Sequence, residues 1–169
     1  MPTRMILIAT VLAFAAPALA GCVHTPSEEE RLFAAYVAAR DDFLAQRNAA
    51  EASVVLAGIT TPEQRFILVD RIVGLLDSGF VQSGRQRLVS FRMVDAAGNE
   101  IETFAGTSIP ATAVAEACLD RSDVTMTHPD GTVEHPQRDL EPQEVVYQEI
   151  DGELLIAEVN DAGPHVCAR

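Results

Sequence analysis

Glu144-Val145-Val146-Tyr147-Gln148-Glu149-Ile150-Asp151-Gly152-Glu153-Leu154-Leu155-Ile156-Ala157-Glu158-Val159 is the stretch that decides the fold. Two runs rich in β-branched and aromatic residues flank Asp151-Gly152, a pair suited to a type I′ turn, whose two positive φ angles match the twist of antiparallel strands. The reading is a tight hairpin of Glu144 to Ile150 and Glu153 to Val159. Two further hairpins are expected upstream. Leu88 to Val94 and Glu100 to Phe104 flank the turn Asp95-Ala96-Ala97-Gly98-Asn99, and Val124 to His128 and Thr132 to His135 flank Pro129-Asp130-Gly131. Between these two, the alanine-rich segment Pro110 to Leu119, which contains Cys118, predicts a short helix. His135 to Pro142, with two prolines, predicts a loop.

Before residue 80 the periodicity is helical. Ser27-Glu28-Glu29-Glu30 has the form of a capping box, and its acidic run suits the positive end of a helix. Leu32, Tyr36, Ala39, Phe43, Ala50 and Val54 recur on one face, with Arg40, Asp41, Asp42 and Gln46 largely elsewhere and a break expected near Asn48. Thr61-Pro62-Glu63-Gln64 repeats the start signal, with Pro62 at the first helical position. This second helix is apolar nearly all round, which predicts burial over most of its circumference. Ser78-Gly79-Phe80 supplies its stop. The expected fold is therefore α+β, with two N-terminal helices packed on one face of a five- to six-stranded antiparallel sheet. Two helices and a curved sheet ending in Ile150-Asp151-Gly152-Glu153-Leu154 resemble the NTF2-like superfamily. That resemblance implies a cone-shaped alternative for the same elements; the segment around Pro110 to Cys118 departs from its pattern.

The N-terminus reads as an address. Arg4 is its only charged side chain, Met5 to Ala20 is uncharged, and small residues close the run, as in a secretory signal. Ala18-Leu19-Ala20 fits an ordinary cleavage site, and Leu19-Ala20-Gly21-Cys22 overlaps it. The second motif resembles the lipobox of bacterial lipoproteins, which implies a diacylglycerol thioether on Cys22 and cleavage just before it. Three cysteines, Cys22, Cys118 and Cys167, leave one thiol over in an oxidising compartment unless Cys22 is consumed by lipid. Residues 1–21 are then a signal peptide, 22–26 a lipidated tether and 27–169 one α+β domain. A membrane-spanning helix is disfavoured, because the apolar run contains Pro17 and is shorter than the ~20 residues a bilayer core needs. The tether, at no more than ~3.5 Å per residue, keeps the domain near the bilayer. Resemblance to enterobacterial lipoproteins implies that Val23 permits export to the outer membrane, with the domain facing the periplasm.

The 169 residues hold 12 basic side chains against 25 acidic ones, a formal charge of −13, and all the basic ones outside histidine are arginine. Such an excess argues against nucleic acid and against electrostatic docking on anionic lipid. A solubilising surface explains it, and a basic partner is permitted.

Cys118 and Cys167 are expected to form a structural disulfide, since neither belongs to a C-x-x-C motif. His128 and His135 are brought together by the second hairpin, but pairing Thr125 with His135 puts the two histidines on opposite faces, so no metal is expected. Asp41, Asp42, Glu100, Glu102, Glu149 and Glu153 show no spacing that marks an acid/base couple. The nucleophile elbow, the H-E-x-x-H helix and the phosphate-cradling loop are absent from the sequence. No catalytic residue, cofactor or metal ligand is assigned. Phe91, Phe104 and Tyr147 are expected to fill the core, or else to line a ligand cavity. The leading functional expectation is a non-enzymatic envelope lipoprotein acting by contact with an envelope protein, as an accessory or assembly factor or an inhibitor of a basic envelope enzyme. A small-molecule or lipid-binding domain comes second and a small enzyme third.

Overall fold

The computed structural model describes residues 25–45, 49–103 and 105–168. Cys22, Val23 and the rest of the signal and lipobox lie outside the described residues, as do Asn48 and Phe104. Three helices come first: α1 (Glu28–Leu44), α2 (Ala49–Ile59) and α3 (Pro62–Asp77). Strands follow: β1 (Val81–Ser83), β2 (Arg87–Val94), β3 (Glu100–Glu102), β4 (Ser108–Pro110), β5 (Ala113–Asp120), β6 (Thr125–Thr127), β7 (Val133–Glu134), β8 (Leu140–Ile150) and β9 (Glu153–Asp161). A short 3-10 turn, Pro164–Val166, ends the described chain. The fold is α+β.

The helix starts obey local chemistry. Ser27 Oγ accepts from the Glu30 amide at 3.2 Å, and Thr61 Oγ1 accepts from the Gln64 amide at 3.2 Å, each satisfying one of the four first-turn donors. Gln64 does not close the box at Thr61. Its Nε2 donates to the Tyr36 hydroxyl at 3.3 Å instead, while the Thr61 amide donates to the Ile156 carbonyl of β9 at 2.9 Å. At its other end α3 stops on Gly79, whose φ of 80° lets the Phe80 amide reach back to the Leu75 carbonyl at 3.1 Å.

The main sheet has four antiparallel strands in the order β2-β5-β8-β9, and β1-β6-β7 and β3-β4 form separate small sheets. The single larger sheet expected from the sequence is therefore divided. Pro110 to Leu119 is not a helix. It supplies β5, a strand held between β2 and β8. Tertiary pairing outweighs the helical preference of its alanines, and the small side chains of Ala115 and Ala117, both fully buried, let the helices pack closely on a central strand. The expected first hairpin changes partners for the same reason: β2 pairs with β5, and β3 pairs with β4. The second and third hairpins form as read, with Thr127 opposite Val133 and Ile150 opposite Glu153. His135 to Pro142 is not all loop, since β8 begins at Leu140 and includes Pro142. Pro142 is tolerated there because its backbone faces β9 where that strand has ended: its carbonyl accepts from Ala162 at 3.1 Å.

Alternation along the strands sets two cores. Ala115, Ala117, Leu119, Val145, Tyr147 and Ile156 face the helices and meet Phe33, Tyr36, Leu56, Leu68 and Ile72. Each large side chain so buried contributes about 1.5–3 kcal/mol. On the opposite face Val114, Val146 and Ala157 pack with Ile101 of the β3-β4 arm. Two expectations about the helices fail in opposite directions. Asp41, placed with the polar face of α1, is 2 % exposed and accepts from Gln82 Nε2 at 2.8 Å and the Gln86 amide at 2.7 Å, which tie the start of the strand region to α1. In α3 only Gln64, Leu68 and Ile72 are buried, whereas Phe66 and Ile67 are 63 % and 49 % exposed. One side of α3 packs on the sheet and α1, and the other faces outward.

Candidate functional site

On the helix-facing side of β8, period two runs from Tyr147 through Val145 to Gln143 and Glu141. The first two are buried core residues. The last two are polar and line a cleft of about 510 Å³. β9 adds Val159 and Asp161 by the same alternation, Val159 lying opposite Val145 and Asp161 opposite Gln143. The other wall comes from helix stripes at one-turn spacing, Tyr36, Arg40 and Leu44 of α1 and Gln64, Leu68 and Arg71 of α3.

Two buried polar atoms of residues lining this cleft have no hydrogen-bond partner among the described residues: Arg40 Nε on the helix side and Gln143 Oε1 on the sheet side. Gln143 is 4 % exposed, and its Nε2 donates to Glu141 Oε1 at 2.8 Å, leaving the carbonyl oxygen unmatched. Arg40 uses one terminal nitrogen on the Gln86 side chain and sits 6.0 Å from the centre of the Tyr36 ring. Among the described residues no carboxylate comes within ion-pair distance of Arg40 or Arg71. The same holds of Arg31, Arg65 and Arg138 among the described residues, and Glu141, Glu158 and Asp161 line the same cleft. Burial raises the Tyr36 pKa, against the pull of Arg40 and Arg71. The phenol stays protonated, and since its oxygen already accepts from Gln64 its hydrogen remains available as a donor.

A second cleft of about 480 Å³ shares Glu141 and Asp161 with the first and continues past Arg121, Glu134 and Arg138. Arg121 Nη1 pairs with Glu141 at 2.9 Å, while its buried Nε has no partner among the described residues. Arg40, Gln143 and Arg121 thus line two adjoining clefts that run from the α1–α3 wall over the ends of β8 and β9 to the segment before β8, with the three unmatched atoms themselves enclosed.

The residues singled out from the sequence lie elsewhere. The sulfurs of Cys118 and Cys167 are 2.05 Å apart, and the bond lays the C-terminal turn across the face of β5 turned away from the helices. There Glu116 accepts from Arg92 and lies 3.6 Å from His165 Nε2. His128 Nε2 meets Glu134 at 3.0 Å and its ring packs on Phe80, centroids 4.6 Å apart. Among the described residues no three His, Cys, Asp or Glu side chains converge as metal ligands. Asp42 pairs with Arg85 at 2.5 Å. Tyr147 is fully buried and Phe91 packs beside Phe33, so these two strand aromatics belong to the core, and the aromatic lining the cleft is Tyr36. The sequence signal for the groove was a polar residue in an apolar register: Gln143 in step with Val145 and Tyr147, and Arg40 one turn from Tyr36 and Leu44.

No protein-family model and no curated protein matches the chain. Among solved structures, the fold is similar to the intermembrane space region of the chloroplast protein ARC6, with a TM-score of 0.51 and 9 % sequence identity over 80 % of this chain and 94 % of that one. The likeness is one of chain path: an α+β domain with helices preceding antiparallel strands.

Proposed function

We propose that the chain is an envelope lipoprotein, held to the membrane by lipid on Cys22, whose α+β domain acts without catalysis by binding an extended segment of another envelope protein. The observation that carries this reading is the run of two adjoining polar clefts, which share Glu141 and Asp161 over the ends of β8 and β9. A peptide segment carries donors and acceptors at every residue and fits a long polar groove better than a compact ligand does. The lipobox and the cysteine count support a periplasm-facing position, and Val23 supports the outer membrane. No described helix is long and apolar enough to cross a membrane.

A small-molecule site is the second reading, favoured by the size of the first cleft, which falls in the ~300–1,000 Å³ range of ligand pockets. Native mass spectrometry of the protein gently extracted from membranes of its own host separates the two. The expected mass carries a lipidated Cys22 and one stoichiometric protein partner. An unlipidated chain would overturn the anchor, and a lipidated monomer holding a small molecule would overturn the contact role.

A further inference from the structure

We infer that the outward face of α3, with the neighbouring surface of α2, rests on the zwitterionic lipid of the bilayer that holds Cys22. This rests on the anchor reading and leaves the groove to its partner. Pro62, Phe66, Val69 and Val73 follow one another at spacings of four, three and four residues, one stripe of a helix. Phe66 and Val73 are exposed, and the stripe borders a recess shared with Ser53 of α2, beside which Val54 is exposed as well. A continuous apolar surface of this kind marks a contact site. Arg71, which lines the cleft, stands two residues from both Val69 and Val73, about 200° around the helix. A bilayer against the stripe therefore leaves the cleft open.

The place where the anchor leaves the domain selects the bilayer as occupant. The Glu29 carbonyl accepts from the Tyr147 hydroxyl, Tyr147 lies opposite Ile156, and the Ile156 carbonyl accepts from the Thr61 amide. The starts of α1 and α3 are thereby tied to the same hairpin, at one end of the helix layer. From Ser27 back to Cys22 the chain reaches at most about 18 Å, so the surface bordering that end is the surface held against lipid. Tethering makes the contact intramolecular, and a weak apolar face then suffices. Glu51, Glu63 and Asp70 on the same two helices outnumber Arg65, which disfavours anionic lipid and leaves apolar burial as the driving term.

The test uses full-length lipidated protein in phosphatidylcholine vesicles. With Cys118 and Cys167 bonded and Cys22 alkylated, a cysteine introduced by Val73→Cys, or by Arg71→Cys as the aqueous control, is the single thiol for a nitroxide label. Electron paramagnetic resonance reads its collisions with oxygen, which concentrates in lipid, and with a nickel chelate, which stays in water. The label at position 73 is expected about 5–10 Å into the headgroup and acyl boundary, and the label at position 71 in water. Phe66→Ser in the protein labelled at 73 is expected to lower the docked-to-free ratio about tenfold, because one aromatic side chain no longer leaves water. Phosphatidylglycerol added to the vesicles is expected to lower it too. A label at 73 as open to the nickel chelate as one at 71 would overturn the docking. Dipolar broadening at 73 would assign the face to a second copy and overturn it as well. The mass of the same sample separates this failure from that of the anchor: an unlipidated chain overturns both, whereas a lipidated chain with an aqueous label at 73 overturns the docking alone.

Discussion

The Tyr147 hydroxyl donates to the backbone carbonyl of Glu29 at 2.9 Å, joining the middle of the last long hairpin to the first turn of α1. The ring is fully buried, and burial raises its pKa, with the nearby Glu29 carboxylate adding to the shift. Tyr147 is therefore a neutral donor wherever the fold persists. Tyr147→Phe keeps the packing and removes one hydrogen bond, so a loss of about 1 kcal/mol is expected in urea denaturation, with unchanged secondary structure. No loss would mean that water satisfies the Glu29 carbonyl equally well.

Gly84 closes β1 against the turn before β6. Its φ is 80°, and a Cβ built there would stand 1.8 Å from the Asp123 carbonyl oxygen. Gly84→Ala must shift backbone and is expected to cost about 3 kcal/mol. Gly98, with φ of 85° and nothing within 4 Å of its Cβ position, provides the comparison. Gly98→Ala carries only the left-handed conformational cost, about 1 kcal/mol. Equal losses in the two variants would remove the close approach as the cause.

The Cys118–Cys167 bond spans 49 residues. In the chain-entropy model a loop of that length restricts the unfolded chain by about 4 kcal/mol. Reduction under native conditions should lower the denaturation midpoint accordingly and expose the Pro164–Val166 turn to amide exchange, while the core strands stay protected. Unchanged exchange in that turn would show that packing alone holds the tail.

Glu116 is held below the ordinary carboxylate range, first by the Arg92 hydrogen bond and further by His165. A depressed folded pKa contributes stability that is present above the unfolded value and disappears as pH falls through the folded one. Urea midpoints compared across pH 3 to 6, an interval chosen about the usual carboxylate pKa of ~4.3, should show Glu116→Gln less stable at the upper end and converging with the parent at the lower. A constant difference would assign the loss to packing instead.

Elements whose signals are local were legible in the sequence. Ser27 and Thr61 cap the helices they precede, and Asp151 and Gly152 take φ of 53° and 84°, as a type I′ turn requires. Pairing set by distant chain was not legible. The alanines of β5 favour a helix until β2 and β8 flank them, and the partner of β2 is chosen across the β3-β4 arm. The groove was hidden for a related reason. Arg40 reads as part of the polar side of α1 and Gln143 falls between the expected loop and the expected hairpin until the helix wall and the sheet are brought together.

Photocrosslinking in native membranes tests the groove most directly. A benzoylphenylalanine replacing Ile67, an exposed residue at the cleft, is compared with one replacing Val73 on the outward face of α3. Position 67 should yield an adduct with a single envelope protein, and position 73 should yield none. An adduct from position 73 without one from position 67 would place the contact on the outer face of α3 and contradict the groove.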